Sequence, residues 1–312
     1  MTTLQCEKQK TRANLQSVLI IIATSSVILI TLIASAEIRS YIISGIRLCA
    51  FSVIPAIFPL LILSDFMVTV RSEKSGLLSK AFERVFKISS AALPTLICGF
   101  VCGFPVGIKI ATDLYGNNDI SKTECEKLIG FSSNPSIAFV ISGIGIGIYS
   151  NIKYGIIIYI SIIISSISVG ILFRSRSEIN TYSRNKPRQM FNIVNSIKNS
   201  ALSCIFISSY IIFFSAAIGI VAKFIKNGTA LALLTMFLEI TTAAKSLSSL
   251  TALPVNLKLS LTAFALSFSG ICIAMQARSI LPDNISMKEY YKMKILIGAL
   301  SFIITYLTLI II

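Results

Sequence analysis

Apolar residues recur along this chain in runs too long for a water-soluble core. Segments 18–34, 42–70, 89–114, 136–149, 154–173, 201–221, 229–250, 253–274 and 293–312 are joined by short polar connections. Several reach or exceed the roughly 18 consecutive apolar residues that a bilayer-spanning helix needs. Only 13% of the 312 residues are charged, against 54% hydrophobic, which excludes a soluble enzyme domain and predicts an all-α polytopic membrane protein.

The charge pattern agrees. The formal net charge of +15 is carried largely by the connections between apolar runs, as at 71–87, 174–198 and 278–294. That placement reads as membrane orientation and contact with anionic lipid, with no nucleic-acid partner. Histidine is absent, which removes the commonest metal ligand and rules out any Ser/His/Asp set. The seven cysteines are scattered and form no CxxC pair, and there is no phosphate-cradling GxxxxGK[ST]. No metal, no cofactor and no enzyme activity are expected.

One stretch departs from ordinary spanning helices. Between residues 94 and 109 the chain holds Gly99, Gly103, Gly107, Pro94, Pro105 and Lys109. Proline removes an amide donor and glycine lets the backbone leave helical geometry, so a break is predicted near Gly103–Gly107. Broken backbone at membrane depth is tolerated where it is buried in protein or lines a wet cavity, and a lysine there is usually functional. A kinked packing helix with a snorkelling Lys109 is the alternative.

The positive-inside rule asks that 71–87, 174–198 and 278–294 share the cytoplasmic side. If every apolar segment crossed, 174–198 would fall outside. Treating 89–114 and 229–250 as re-entrant restores agreement, with about seven spanning helices plus two re-entrant or broken segments. The divisions are then an N-terminal head and first helix at 1–41, a first repeat at 42–173, a basic loop at 174–200 and a second repeat at 201–312. The two repeats have opposite topology, an arrangement that in transporters puts the binding site at the repeat interface. The start of the chain also fits a cleavable signal peptide, although its apolar run is long for one.

Polar groups interrupt the apolar runs at corresponding places. Ser133 and Asn134 open the run at 136–149, Glu239 and Thr241 interrupt 229–250, and Ser269 and Gln276 follow in the next segment. Helix capping by residues 132–136, a protonated or packing-paired Glu239 and an interhelical hydrogen bond from Gln276 are the structural alternatives.

The ordered motifs CGFPVGIKIATDLY, FSSNPSIAFVISGIGIG, FLEIT and SFSGICIAMQA resemble the sporulation integral membrane proteins of the YlbJ type, also called stage V sporulation protein V, within the families that carry the nucleoside-recognition or gate domain. The resemblance implies a carrier of dipicolinic acid across the outer membrane of the developing spore. It also places Gly103, Pro105, Gly107, Lys109, Asn134, Glu239, Ser269 and Gln276 at motif positions. A carrier of a nucleoside-like or other polar solute, or a non-transporting sporulation scaffold or sensor, are the other classes open.

The chemistry is compatible with a small anionic solute. Dipicolinate is a flat dianion, and Lys109 with the amides freed at the break would meet one carboxylate. At an effective dielectric of about 20, a charge pair about 4 Å apart is worth about 4 kcal/mol before desolvation, so further donors must converge.

Overall fold

The computed structural model describes residues 35–69, 76–174 and 192–311, with isolated positions 25 and 29. The polar head, the expected first helix at 18–34 apart from positions 25 and 29, the start of the connection at 71–87 and most of the basic loop at 174–198 lie outside the described residues. Among those described, every regular element is helical.

Helix α1 (Ser35–Leu48) runs through a wide turn at Cys49–Val53 into α2 (Ile54–Thr69). The wide turn lies just before Pro55 and Pro59, whose missing amides interrupt the usual hydrogen-bond ladder. Helix α3 (Leu77–Phe86) buries Phe82 and Phe86 and ends at Lys87, which is left-handed at φ 51°. The chain then turns by 107° into the segment Ser90–Val101, which contains α4 (Leu93–Val101).

Helix α5 (Val106–Gly116) follows a four-residue turn, and α6 (Lys122–Ser132) starts at a capping box formed by Ser121 and Glu124. Wide helical turns at Phe139–Ile146 lead to α7 (Ile152–Leu172). Then come α8 (Ile193–Phe224), α9 (Gly228–Leu238), α10 (Ile240–Ser248), α11 (Val255–Phe268), α12 (Gly270–Ile280) and α13 (Lys288–Ile311).

Several of these helices have their polarity inside out. On α7, Ser161, Ser165 and Ser166 are buried while Ile156, Ile160 and Ile164 are exposed. On α8, Ser200, Cys204 and Ser208 are buried while Ile205, Phe206 and Phe213 face outward. On α13, Lys294, Ser301 and Thr305 are buried beneath an outer stripe of Ile303, Leu307 and Ile310. Such stripes would be costly in water and are natural against lipid tails, where helices associate through small and polar residues. The chain is an all-α polytopic membrane protein. By length and composition, Ile152–Leu172, Ile193–Phe224, Val255–Ile280 and Lys288–Ile311 can each cross a membrane, and the number reaches five only if the bent pair 77–86 with 90–101 is one span. Several other apolar runs of the sequence appear as shorter or interrupted helices.

Hydrogen bonds define two opposite ends of the bundle. At one end, Asn284 Nδ2 donates to the Tyr115 hydroxyl at 2.7 Å and the Ser286 amide donates to Glu126 at 2.9 Å. At the other, the Tyr149 hydroxyl meets Thr262 Oγ1 at 2.7 Å, and Asn256 Nδ2 donates to Leu309 O at 3.4 Å. Helix α13, with 24 residues, connects the two ends over about 36 Å at 1.5 Å per residue.

Segment 89–116 does not cross between them. A Cβ built on Gly107 would lie 3.0 Å from Gly99 Cα, whereas eight residues of straight helix would separate these positions by about 12 Å. The chain therefore folds back between α4 and α5. The Glu124 carboxylate accepts from the Ser89 amide and the Ser121 amide, both at 2.7 Å, so the two ends of the hairpin are tied at one end of the bundle.

Helices α9 and α10 also double back. Ala232 and Met236 of α9 share one apolar cluster with Ala243 and Leu247 of α10, all packed against Ala265 of α11. The far end of α10 is held by Lys258 Nζ donating to Ser248 O at 3.3 Å, at the Tyr149 and Leu309 end. A further cluster joins Val140, Ile144, Ile158 and Ile162 to Ile240, Leu259, Ala263 and Leu266, so both halves of the chain share a core.

Candidate functional site

Four interruptions punctuate the helices: the turn Cys102–Pro105, residues 133–136, Glu239 and Ser269. Helices α5, α6, α9 and α12 each have 11 residues and connect one of these breaks to an end of the bundle. All four breaks therefore sit about 16 Å from an end, near the middle of the bundle.

In the first half, the hairpin tip is docked on the break that follows α6. Gly103 is left-handed at φ 80°, and a Cβ there would come 2.8 Å from Ser136 Cα. Only glycine fits both the backbone angle and the space. The Phe104 amide donates to Asn134 O at 2.7 Å, and Pro105, buried, ends the turn at a cis peptide bond. Gly107 completes the close approach, since its Cβ would be 3.1 Å from Ser132 O. Asn134 secures the break from within: its Nδ2 donates to Phe131 O at 2.7 Å and its Oδ1 accepts from Ser166 at 2.8 Å.

The second half also contains a pair of packed breaks, built from different residues. Glu239 is 3% exposed, and its two carboxylate oxygens accept from the amides of Thr241 at 2.9 Å and Thr242 at 2.7 Å. It is the N-cap of α10, which satisfies amides that the break would otherwise strand. The α11–α12 break lies against it: Gly270 is left-handed at φ 64°, and a Cβ there would be 3.0 Å from Leu238 O. Ser269 is also left-handed, at φ 73°, an uncommon conformation for a residue with a side chain. No side chain caps the first turn of α12. Gln276 is buried one and a half turns on, with Nε2 3.3 Å from Cys272 Sγ.

Two residues of α13 connect the halves. Tyr290 and Lys294 are four apart on one helix face and both 1% exposed. Tyr290 packs in one core with Phe131, beside the first break, and with Ala274 and Ala277 of α12. Its hydroxyl and Ser133 Oγ, both buried, make no hydrogen bond among the described residues. Lys294 Nζ donates to Ser133 O and lies 5.8 Å from the centre of the Tyr290 ring.

Lys109 is placed differently from the rest. Its ammonium is paired with Asp65 of α2 and, at 3.2 Å, with Asp113 one turn along α5. Its ammonium is held within an ion-paired cluster with two carboxylates.

Of the residues singled out in the sequence, Gly103, Pro105, Ser133 and Asn134 come together at one break, Glu239, Thr241 and Ser269 flank the other, and Lys109 belongs to a separate ion-paired cluster. Sequence reasoning missed Asp65, Tyr290 and Lys294. Asp65 was visible as a carboxylate inside the apolar run 42–70. Lys294 stands beside Lys288 and Lys292, so charge counting absorbed it into the connection at 278–294. Among the described residues, no group of three or more Cys, Asp or Glu is arranged to hold a metal ion.

Inside-out polarity and buried helix breaks define an integral membrane protein with helix breaks near the middle of the bundle. Among curated proteins, the chain is similar to the sporulation integral membrane protein YlbJ of Bacillus subtilis (strain 168), with 24% identity over 291 aligned residues, covering 79% of this chain and 71% of the relative. This relative supports the YlbJ-type family for the chain, the family indicated by the four ordered motifs. No family model and no solved structure matches it.

Proposed function

We propose that this protein carries a small anionic solute across the membrane, with dipicolinic acid crossing the outer membrane of the developing spore as the substrate that the family resemblance favours. The observation that carries this proposal is that interrupted helices of both halves pack against Tyr290. Phe131 near the end of α6 and Ala274 of α12 share its core, and a hairpin tip abuts the break in each of these helices. The first hairpin has its ends at the Tyr115 end of the bundle and the second at the Tyr149 end, which supports an inverted repeat. Paired discontinuous helices of this kind bind solutes between the repeats, and rocking one repeat against the other exposes the site alternately.

Purified protein reconstituted into lipid vesicles tests the proposal. Labelled dipicolinate should accumulate above protein-free vesicles, and unlabelled dipicolinate should compete whereas uridine should not. Uptake of uridine alone would assign the site to a nucleoside-like solute. Uptake of neither would leave a membrane scaffold or sensor.

A further inference from the structure

The proposed carrier needs a cation at its centre, and Lys109 is a poor candidate because Asp65 and Asp113 already neutralise it. Lys294 is placed differently. It is 1% exposed, and none of the ion pairs among the described residues includes it. Its contacts are a backbone carbonyl, Ser133 O, and the face of Tyr290. Burial without an opposite charge disfavours any ammonium, and a carboxylate arriving beside it removes that penalty, so the position suits an anion.

The surroundings fit a carboxylate. Tyr290 OH and Ser133 Oγ are buried hydroxyls with no protein partner, and Ser267 Oγ, two residues before the second break, is a third. The first turn of α12, starting at Gly270, has amides that no side chain caps, with the positive end of that helix beside Ser269. Lys294 and Tyr290 thus meet Ser133 at the first break, and Tyr290 shares a core with α12. Glu239, the buried carboxylate of the neighbouring break, is engaged by the amides of Thr241 and Thr242 and forms no ion pair with Lys294.

We propose that Lys294 is the substrate's counter-charge, binding one carboxylate of an aromatic or other small carboxylic acid together with Tyr290 OH, Ser133 Oγ and the N-terminal amides of α12. This assignment rests on the carrier proposal for the same site and specifies its chemistry. Lys109 then serves the hairpin and not the solute.

Equilibrium binding of labelled dipicolinate to the detergent-purified protein is measured beside vesicle uptake. Wild type should bind, and Lys294→Gln, which keeps a donor for Ser133 O but no charge, should bind at least about tenfold more weakly. Lys294→Arg should retain part of the binding, and Lys292→Gln, the same charge change on the exposed side of α13, should bind as wild type does. Wild-type binding by Lys294→Gln, or no carboxylate binding by wild type, would overturn the assignment. Binding that depends on Lys294 without uptake would overturn the carrier proposal and keep the site; uptake unaffected by Lys294→Gln would do the reverse. Should the variants fail to accumulate, the wild-type protein decides the matter. A mono-succinimidyl ester of dipicolinate should acylate Lys294 in competition with free dipicolinate, and protectable labelling of Lys109 in its place would overturn the assignment.

Discussion

The Glu124 carboxylate accepts a 2.7 Å hydrogen bond from the Ser89 amide, across 35 residues that include the whole α4–α5 hairpin. Because Glu124 also caps α6 through Ser121, the entry and exit of the hairpin are fixed at one end of the bundle. Cysteine-accessibility labelling in intact vesicles should therefore place Asn117→Cys and Asn284→Cys on one side and Ser150→Cys on the other. By charge counting, Ser183→Cys should join the first pair. Labelling of Arg84→Cys, before the hairpin, and Asn117→Cys, after it, from opposite sides is incompatible with the hairpin.

Gly103→Leu should abolish uptake and lower stability by about 2 kcal/mol or more, adding the strain of a left-handed side chain to overpacking against Ser136. Gly116→Ala is the control, since nothing lies within 4 Å of a Cβ there. Thermal unfolding in detergent measures both. Equal behaviour of the two variants would mean that the hairpin tip does not seat on the Ser136 break.

Lys109→Met leaves Asp65 and Asp113 with no cation between them. Removing one partner from a largely buried ion pair is destabilising by about 3 kcal/mol, so abundance in the membrane should fall along with uptake. Lys109→Arg should keep part of both. Lys109→Met combined with Asp65→Asn should recover at least half of the lost stability, and a cycle with no coupling between these positions would show that the pair contributes nothing.

Glu239→Ala removes both acceptors from the first turn of α10 and should lower stability by about 1–2 kcal/mol, while Glu239→Gln retains one acceptor and should lose less. Since both oxygens are engaged by backbone amides, the dependence of uptake on pH should be unchanged in Glu239→Gln. A flattened pH profile with uptake retained would instead make Glu239 a proton-coupling group.

Much of the site was legible because helix breaks have a local cause. Gly103 and Pro105 prevent continuous helix by their own backbone chemistry, and Ser133, Asn134 and Glu239 are residues that hydrogen-bond neighbouring backbone wherever a helix stops. Pairing was not legible. The seating of Gly103 against Ser136 and of Gly270 against Leu238 depends on approaches of about 3 Å between distant segments, and a single sequence encodes these only as small residues whose partners it does not name.

By itself the sequence determined the membrane class, the helical content and the break near Gly103–Gly107, because hydrophobic run length and local backbone preference act within a few turns of chain. Only the tertiary structure decided which charges are satisfied. Lys109, alone in its apolar stretch, is neutralised by Asp65 from a helix 44 residues earlier, whereas Lys294, hidden among the basic residues of a connection, is buried without an acid beside it. The difference has a physical origin. An electrostatic environment is set by whatever packs within a few ångströms, and in a bundle of interrupted helices most of that comes from elsewhere in the chain.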